Sequence, residues 1–192
     1  MISTDTLRLR AMTRADLPLF VNWLNDPEVI KGLMHYVPIS LEDEEAWYES
    51  MRKRPREEHP LMIEVCTTDD WEPIGNCSLM DIDWRVRQAE FGIVIGAKQH
   101  WNRGFGTSAL KLLLQHGFHT LNLNRIYLRV HATNPRAIRS YEKAGFIREG
   151  ILRQAYYQNG AYVDVILMSV LRSEWEESGD ADSLAKDKGS SA

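Results

Sequence analysis

Phe91-Gly-Ile-Val-Ile-Gly96, Trp101-Asn-Arg-Gly-Phe-Gly-Thr107 and Ser108-Ala-Leu-Lys-Leu-Leu-Leu114 succeed one another in the middle of this 192-residue chain. An apolar run, a glycine-punctuated loop and a helical rhythm, in that order, predict a strand, a turn and a helix start. The first N–H groups of such a helix have no intrahelical partner and sit at the positive end of its dipole, a setting that attracts phosphate. Gly104 and Gly106 lack Cβ, so a bulky anion can approach the backbone. The stretch therefore reads as the holder of a phosphate-bearing cofactor. The rival reading is a tight strand-to-helix turn shaped by the same glycines, and local spacing alone leaves the two level. A dinucleotide fingerprint asks for a third glycine where Ala109 stands, and a nucleotide P-loop for a lysine that Gly106-Thr107-Ser108 lacks.

Further along, Asn134-Pro-Arg-Ala-Ile-Arg-Ser-Tyr-Glu-Lys-Ala-Gly145-Phe146 predicts a short helix with both ends marked. Asn134 can cap it, Pro135 suits its first turn, and Gly145 suits a left-handed stop. Ala137, Ile138, Tyr141 and Ala144 share one face, which by itself makes Tyr141 a core residue. Before the glycine loop, Leu7, Leu9 and Ala11 alternate with Arg8 and Arg10 as a half-buried strand does. Thr13-x-x-Asp16 and Ser40-x-x-Asp43 are capping boxes that open two helices, with a short turn at Glu28. Strands follow at 61–67, 74–81 and 88–96, then the loop, a helix to about Leu121, and a strand from Arg125. Segments 146–158 and Ala161–Leu171 flank Asn159-Gly160, a hairpin signal because both turn residues tolerate positive φ. The result is a mixed α/β fold, about seven strands in one sheet covered by about four helices.

A net charge of −4 argues against nucleic acid as the main partner. No apolar stretch approaches the ~18–20 residues of a membrane span, and nothing at the N-terminus resembles a signal peptide, so the cytoplasm is expected. Cys66 and Cys77 provide neither a disulfide framework nor a metal pattern. His116 and His119 lie off the apolar stripe and read as a solvent face, so no metal site is expected. Residues 1–175 are expected to form one domain, and the polar stretch 176–192 a disordered tail.

The glycine loop Arg103-Gly-Phe-Gly-Thr107, the Asn134…Ala137…Tyr141…Gly145-Phe146 helix and the strand Ala89-Glu-Phe-Gly-Ile-Val-Ile95 together resemble the GNAT superfamily of acyl-CoA-dependent N-acyltransferases. The likeness runs from about Thr6 to Trp175. Leu7-Arg-Leu-Arg-Ala11 and Trp23-Leu-Asn-Asp-Pro-Glu-Val29 are similar to the Rim-type branch, which includes ribosomal-protein N-terminal and spermidine N-acetyltransferases. The family loop often has Gln or Arg three residues before its first glycine; here that residue is Trp101, also met in the Rim-type branch.

The resemblance implies a V-shaped split between two adjacent parallel strands that admits acetyl-CoA. Backbone groups of Ile93, Val94 and Ile95 would pair with its pantetheine arm. The amides of Asn102, Arg103, Gly104, Phe105, Gly106 and Thr107 would hold its diphosphate, with Asn134 and Ala137 completing the site. Tyr141 would protonate the leaving thiolate, and a backbone N–H near Val94 or Ile95 would polarise the carbonyl. Glu90 is the candidate base, with a solvent-facing strand residue as the rival reading; Asp81, Asp83 or ordered water are further options. The expected reaction is direct acetyl transfer to a primary amine, because no cysteine sits near the motifs to carry an acyl group; Cys77 comes nearest, if its strand adjoins the cofactor strand.

Acceptor choice turns on deprotonation. An α-amine of pKa ~8 is about one-tenth neutral at pH 7, and an alkyl amine of pKa ~10.4 below one-thousandth, a gap of about 3.3 kcal/mol. A protein or peptide N-terminus is thus the first expectation, and a polyamine, amino sugar or aminoglycoside the second. Trp23, Tyr36, Trp47 and Trp84 are candidates to line the acceptor groove. Asp26, Glu28 and Glu42-Asp-Glu-Glu45 are acids on that side, the last group favoured there by the helix dipole alone. A homodimer is left open. Two other classes stay in view: a non-catalytic acyl-CoA sensor and a dinucleotide oxidoreductase, the latter disfavoured because no acid ends the strand from Arg125 to hold a ribose.

Overall fold

Leu7 and Leu9 do face inward, on β2 (Leu7–Ala11), which pairs antiparallel with a two-residue β1 (Ile2–Ser3) and with β3 (Leu61–Cys66). The computed structural model describes residues 2–68 and 70–178. It continues with β4 (Trp71–Asp83), β5 (Gln88–Ile95), β6 (Arg125–His131), β7 (Ile147–Gln158) and β8 (Ala161–Leu171). These strands form one mixed sheet in the order β1-β2-β3-β4-β5-β6-β8-β7. Every pairing is antiparallel except β5 with β6. The strand beyond the expected seven is β1.

The helices are α1 (Leu17–Leu24), α2 (Pro27–Ile30), α3 (Leu41–Met51), α4 (Phe105–Gln115), α5 (Pro135–Lys143) and α6 (Arg172–Glu177). Among the described residues, two exceed the expected four. One is α2, the short turn capped by Asp26, whose carboxylate accepts from Glu28 N–H. The other is α6, where Glu174 accepts from Leu171 N–H at 2.9 Å and Trp175 enters the core. The boundary expected at Trp175 thus falls inside a helix, and the tail beyond Ser178 lies outside the described residues.

Two apolar layers sandwich the sheet. On one face Leu110, Leu112, Leu113 and Leu114 of α4 and Ile138 of α5 cover Ala89, Phe91, Ile126, Leu128 and Val130. On the other, Leu17 and Phe20 of α1 and Tyr48 and Met51 of α3 cover Met62. The polar sides of Arg8 and Arg10 are satisfied by Glu64, at 2.5 and 2.8 Å, and Arg10 also grips Asp16. Helix α4 stops at Gln115, short of the expected Leu121. Residues 116–120 widen into a π turn that seats Gly117 on β6; a Cβ there would lie 2.7 Å from Ile126 Cδ1. This turn makes His116 half-buried, with its pKa lowered by burial, so only His119 keeps the expected exposure.

Candidate active site

The parallel pairing of β5 and β6 is short. It joins Gln88 to Arg125, Ala89 to Ile126 and Glu90 to Tyr127, and past that point the strands part. A cleft of about 570 Å³ opens in the split, lined by Ile93, Val94 and Ile95 on one wall and Val130 and His131 on the other. Backbone groups alternate direction along β5. Val94 O faces β4, so close that a Cβ on Gly75 would lie 2.0 Å from it. Ile95 O turns the other way and accepts from Trp101 Nε1 at 2.7 Å. Ile93 shares the direction of Ile95, so these two present polar backbone to the cleft and Val94 does not. Of the two residues expected to polarise a carbonyl, Ile95 turns its backbone toward the cleft and Val94 turns its own toward β4.

The glycine loop forms one end of the cleft. Gly104 caps α4 at φ +86°, and Asn102 precedes it at φ +60°. The first helical hydrogen bond is Ser108 N–H to Gly104 O at 3.0 Å, which leaves the N–H groups of Phe105, Gly106 and Thr107 ahead of it; no side chain caps them. A Cβ on Gly104 would meet nothing within 4 Å, so glycine is required there by the backbone angle rather than by crowding. Trp101 is a wall of this end: its indole hydrogen bond fixes it to β5 while Arg136 stacks on its ring at 3.9 Å. Arg103 lies over Phe105 at 5.2 Å. Arg136, Arg139 and Lys143, on one face of α5, also line the cleft. Uncapped amides, nearby cations and a free strand edge fit an extended ligand that carries phosphates.

Helix α5 forms as expected. Asn134 Oδ1 accepts from Ala137 N–H at 3.1 Å, Pro135 opens the first turn, and Gly145 stops the helix at φ +90°. The oxygen of Asn134 serves the cap, and its Nδ2 is a donor available to a ligand. Tyr141 lines the cleft with its ring edge-on to Phe91 at 6.2 Å and tilted against Phe146 at 5.9 Å. Burial pushes its phenol up to about 12, so it holds its proton throughout the neutral range. Tyr141 thus packs against the apolar layer and also lines the cleft.

The pattern of the acetyltransferase (GNAT) domain matches residues 6–147. The chain belongs to the GNAT acetyltransferase family. A spermidine N(1)-acetyltransferase of Vibrio cholerae is 34% identical over 88% of this chain and 95% of its own length. The Bacillus subtilis protein YdaF, provisionally named a ribosomal N-acetyltransferase, is 34% identical over 59% of this chain and 62% of its own. A Vibrio cholerae spermidine N-acetyltransferase solved with CoA and spermine superposes with a TM-score of 0.81, at 32% identity over 88% of this chain and 98% of that one. The GNAT chain described here is accordingly an acyl-CoA-dependent N-acetyltransferase with acetyl-CoA as its acyl donor. The sensor and oxidoreductase alternatives give way to it.

The remaining GNAT candidates separate. Glu90 is 9% exposed and reaches the cleft, but both its oxygens accept from Arg129, at 2.8 and 3.1 Å. The guanidinium thus occupies one acceptor site on each carboxylate oxygen. Asp83 caps the turn at Arg85 and Val86, and Asp81 sits at φ +50° in the β4 bulge; neither lines the cleft. Cys77 lies in the core, where burial pushes its thiol up, so it is no acyl carrier. Asp26 and Glu28 are both held by Lys98, and Asp43 completes its capping box with Ser40. Trp23 packs on Phe20 and covers Gly96. Trp47 lines a neighbouring pocket of about 320 Å³ that shares Met80, Gly92, Ile93 and Val94 with the cleft, whereas Tyr36 and Trp84 stand out in solvent. Sequence reasoning passed over Arg129, His131 and Arg136. For the first two, strand alternation placed them on one face, but nothing in their spacing named a partner.

Among the described residues no three His, Cys, Asp or Glu side chains gather as a metal site requires, and no helix is long and apolar enough to cross a membrane.

Proposed function

We propose that this acetyltransferase acts on a small primary amine of the polyamine class. What carries the reading is the full-length likeness to spermidine N(1)-acetyltransferases from two species, 34% and 30% identical, together with the fold shared with the spermine complex. It reverses the order expected from amine basicity alone. The amides of residues 102 to 107 and the Arg103 cation hold the diphosphate in this proposal, Ile93 and Ile95 pair with the pantetheine arm, and Asn134 Nδ2 and Ala137 complete the wall. Bound there, acetyl-CoA supplies an activated acyl carbon and a thiol leaving group. Ile95 N–H, or Ile93 N–H, donates to the carbonyl oxygen, and Tyr141 keeps the proton that sulphur needs. Glu90 and Arg129 form the polar floor on the acceptor side. Two cysteines without a disulfide agree with a cytoplasmic setting. The exposed apolar side chains of β7, an edge strand, are the surface a homodimer would use.

One observation favours a second reading. Among the described residues Glu90 is the single carboxylate lining the cleft, and Arg129 neutralises it. A polycation gains little there, whereas a peptide α-amine asks less of the site. Thiol release measured with spermidine, an N-terminal peptide and an amino sugar in parallel separates the two. Spermidine preferred tenfold or more in kcat/KM supports the polyamine reading, and the opposite preference installs the peptide reading. No release with any amine sinks both.

A further inference from the structure

We propose that His131 is the proton acceptor for the incoming amine, working from the face of the sheet opposite to Tyr141. This rests on the amine-acetylation reading above. His131 closes β6, and the alternation that buries Ile126, Leu128 and Val130 under α4 sends Tyr127, Arg129 and His131 to the other face. The residue is 1% exposed and lines the cleft, and neither ring nitrogen has a hydrogen-bond partner among the described residues. A neutral imidazole carries one donor and one acceptor, and an interior that satisfies neither calls for a reason. The cleft wall supplies one: the ring is held for a group that arrives with the substrate.

Its plane is fixed by Tyr156 of β7, stacked at 4.5 Å and 32°, whose own hydroxyl is also without a partner. The ionisable groups on this side leave the imidazole to itself. Glu90 and Arg129 satisfy each other, and the Asp164 carboxylate of β8 accepts from Gln154 N–H. Tyr36, which follows His35 after α2, bears on Tyr156 rather than on His131. Burial alone acts on His131 and lowers its pKa, so the ring is neutral and able to accept at pH 7.

The proton inventory closes. The ammonium loses one proton to His131, which passes it to solvent. As the neutral nitrogen bonds to the acyl carbon, the carbon–sulphur bond breaks with its electron pair on sulphur. Tyr141 protonates that sulphur, and the second nitrogen proton returns through solvent to the phenolate. Ammonium and thioester become amide, thiol and one free proton.

His131→Gln tests this with two amines, spermidine and an amine already uncharged at pH 7. The expected result is a loss of kcat of ~10²-fold with spermidine, as removal of a positioned base should give, and under ~10-fold with the uncharged amine. The acid limb of the parent's pH profile, expected below pH ~6.5 because the ring must be neutral to work, should vanish in the variant. Equal losses with both amines, or an unchanged limb, overturn the role of His131 and leave acetyl transfer standing. Nuclear magnetic resonance titration of the imidazole in the parent protein answers even if the variant does not fold. A pKa below the ordinary histidine value that moves when spermidine is added supports the proposal. A ring that titrates normally and ignores the amine overturns it, whatever the parent's turnover.

Discussion

The two ends of one cleft are built from different materials. At the end proposed to hold phosphate the groups on offer are main-chain amides, set by Gly104 at φ +86° and an uncapped helix start. At the end proposed for the acceptor they are side chains: the Glu90–Arg129 pair and the His131–Tyr156 stack, each joining strands that lie far apart in the chain. A backbone site needs glycine and a helix signal at fixed local spacing, so it tolerates little variation. A side-chain site needs only that two strands meet, and its chemistry can change one residue at a time.

Tyr141 stands between the two ends and offers the sharpest test of the division. Tyr141→Phe removes one hydroxyl and keeps the ring between Phe91 and Phe146. We expect kcat to fall ~10²-fold or more while CoA still raises the melting temperature by the parent's amount. A phenol held up at about 12 also stays protonated as pH rises from 7 to 10, so Tyr141 should add no alkaline loss of rate over that range. Unchanged turnover would return this tyrosine to packing alone.

Glu90→Gln comes next in size. If the carboxylate were the base, its loss should match the ~10²-fold scale of Tyr141. Held by Arg129, it should lower kcat by less than ~10-fold. Because Arg129 is half-exposed, a double-mutant cycle on stability should give a coupling of about 1 kcal/mol or less. A larger catalytic loss, restored by Asp but not by Gln, would make Glu90 the base and remove the need for His131.

The local structure of the glycine-loop end was legible in the sequence, and the same physical reasons account for what was not. Asn134, Pro135 and Gly145 mark α5 because each answers a local demand of a helix end, and Asn159-Gly160 marks its hairpin because φ is +52° and +82° there. The β5–β6 split followed from resemblance, and its position from the run that ends at Ile95. The acceptor wall was not legible. Glu90 looked free because its partner lies 39 residues away, and His131 looked like the last letter of a strand. The early end of α4 was equally hidden, since the π turn answers to Gly117 meeting Ile126, a tertiary contact.

Two glycines sharpen the backbone half. Gly104→Ala meets no atom but must hold a left-handed angle that disfavours L side chains by about 1–2 kcal/mol. If the loop relaxes to relieve this, CoA affinity should weaken up to ~10-fold with acceptor preference unchanged. Gly106→Ala, whose Cβ would sit an ordinary 3.7 Å from Ile95 Cγ1, should fold at least as well as the parent. A loss of CoA binding in that variant would then report crowding of the ligand itself. Equal, small effects at both positions would deny the loop its role.

The smallest effect divides Asn134 between its two ends. Its oxygen caps α5, so Asn134→Ala should destabilise the protein by about 1 kcal/mol, lowering the melting temperature by roughly 2–4 °C. Asn134→Asp keeps a capping oxygen and exchanges the amide donor for a second acceptor. Its stability should stay near the parent's, while CoA affinity falls if Nδ2 touches the ligand. An aspartate variant that binds CoA as the parent does would confine Asn134 to the helix end. The phosphate wall would then consist of main-chain amides and cations alone, and the contrast with the acceptor wall would be complete.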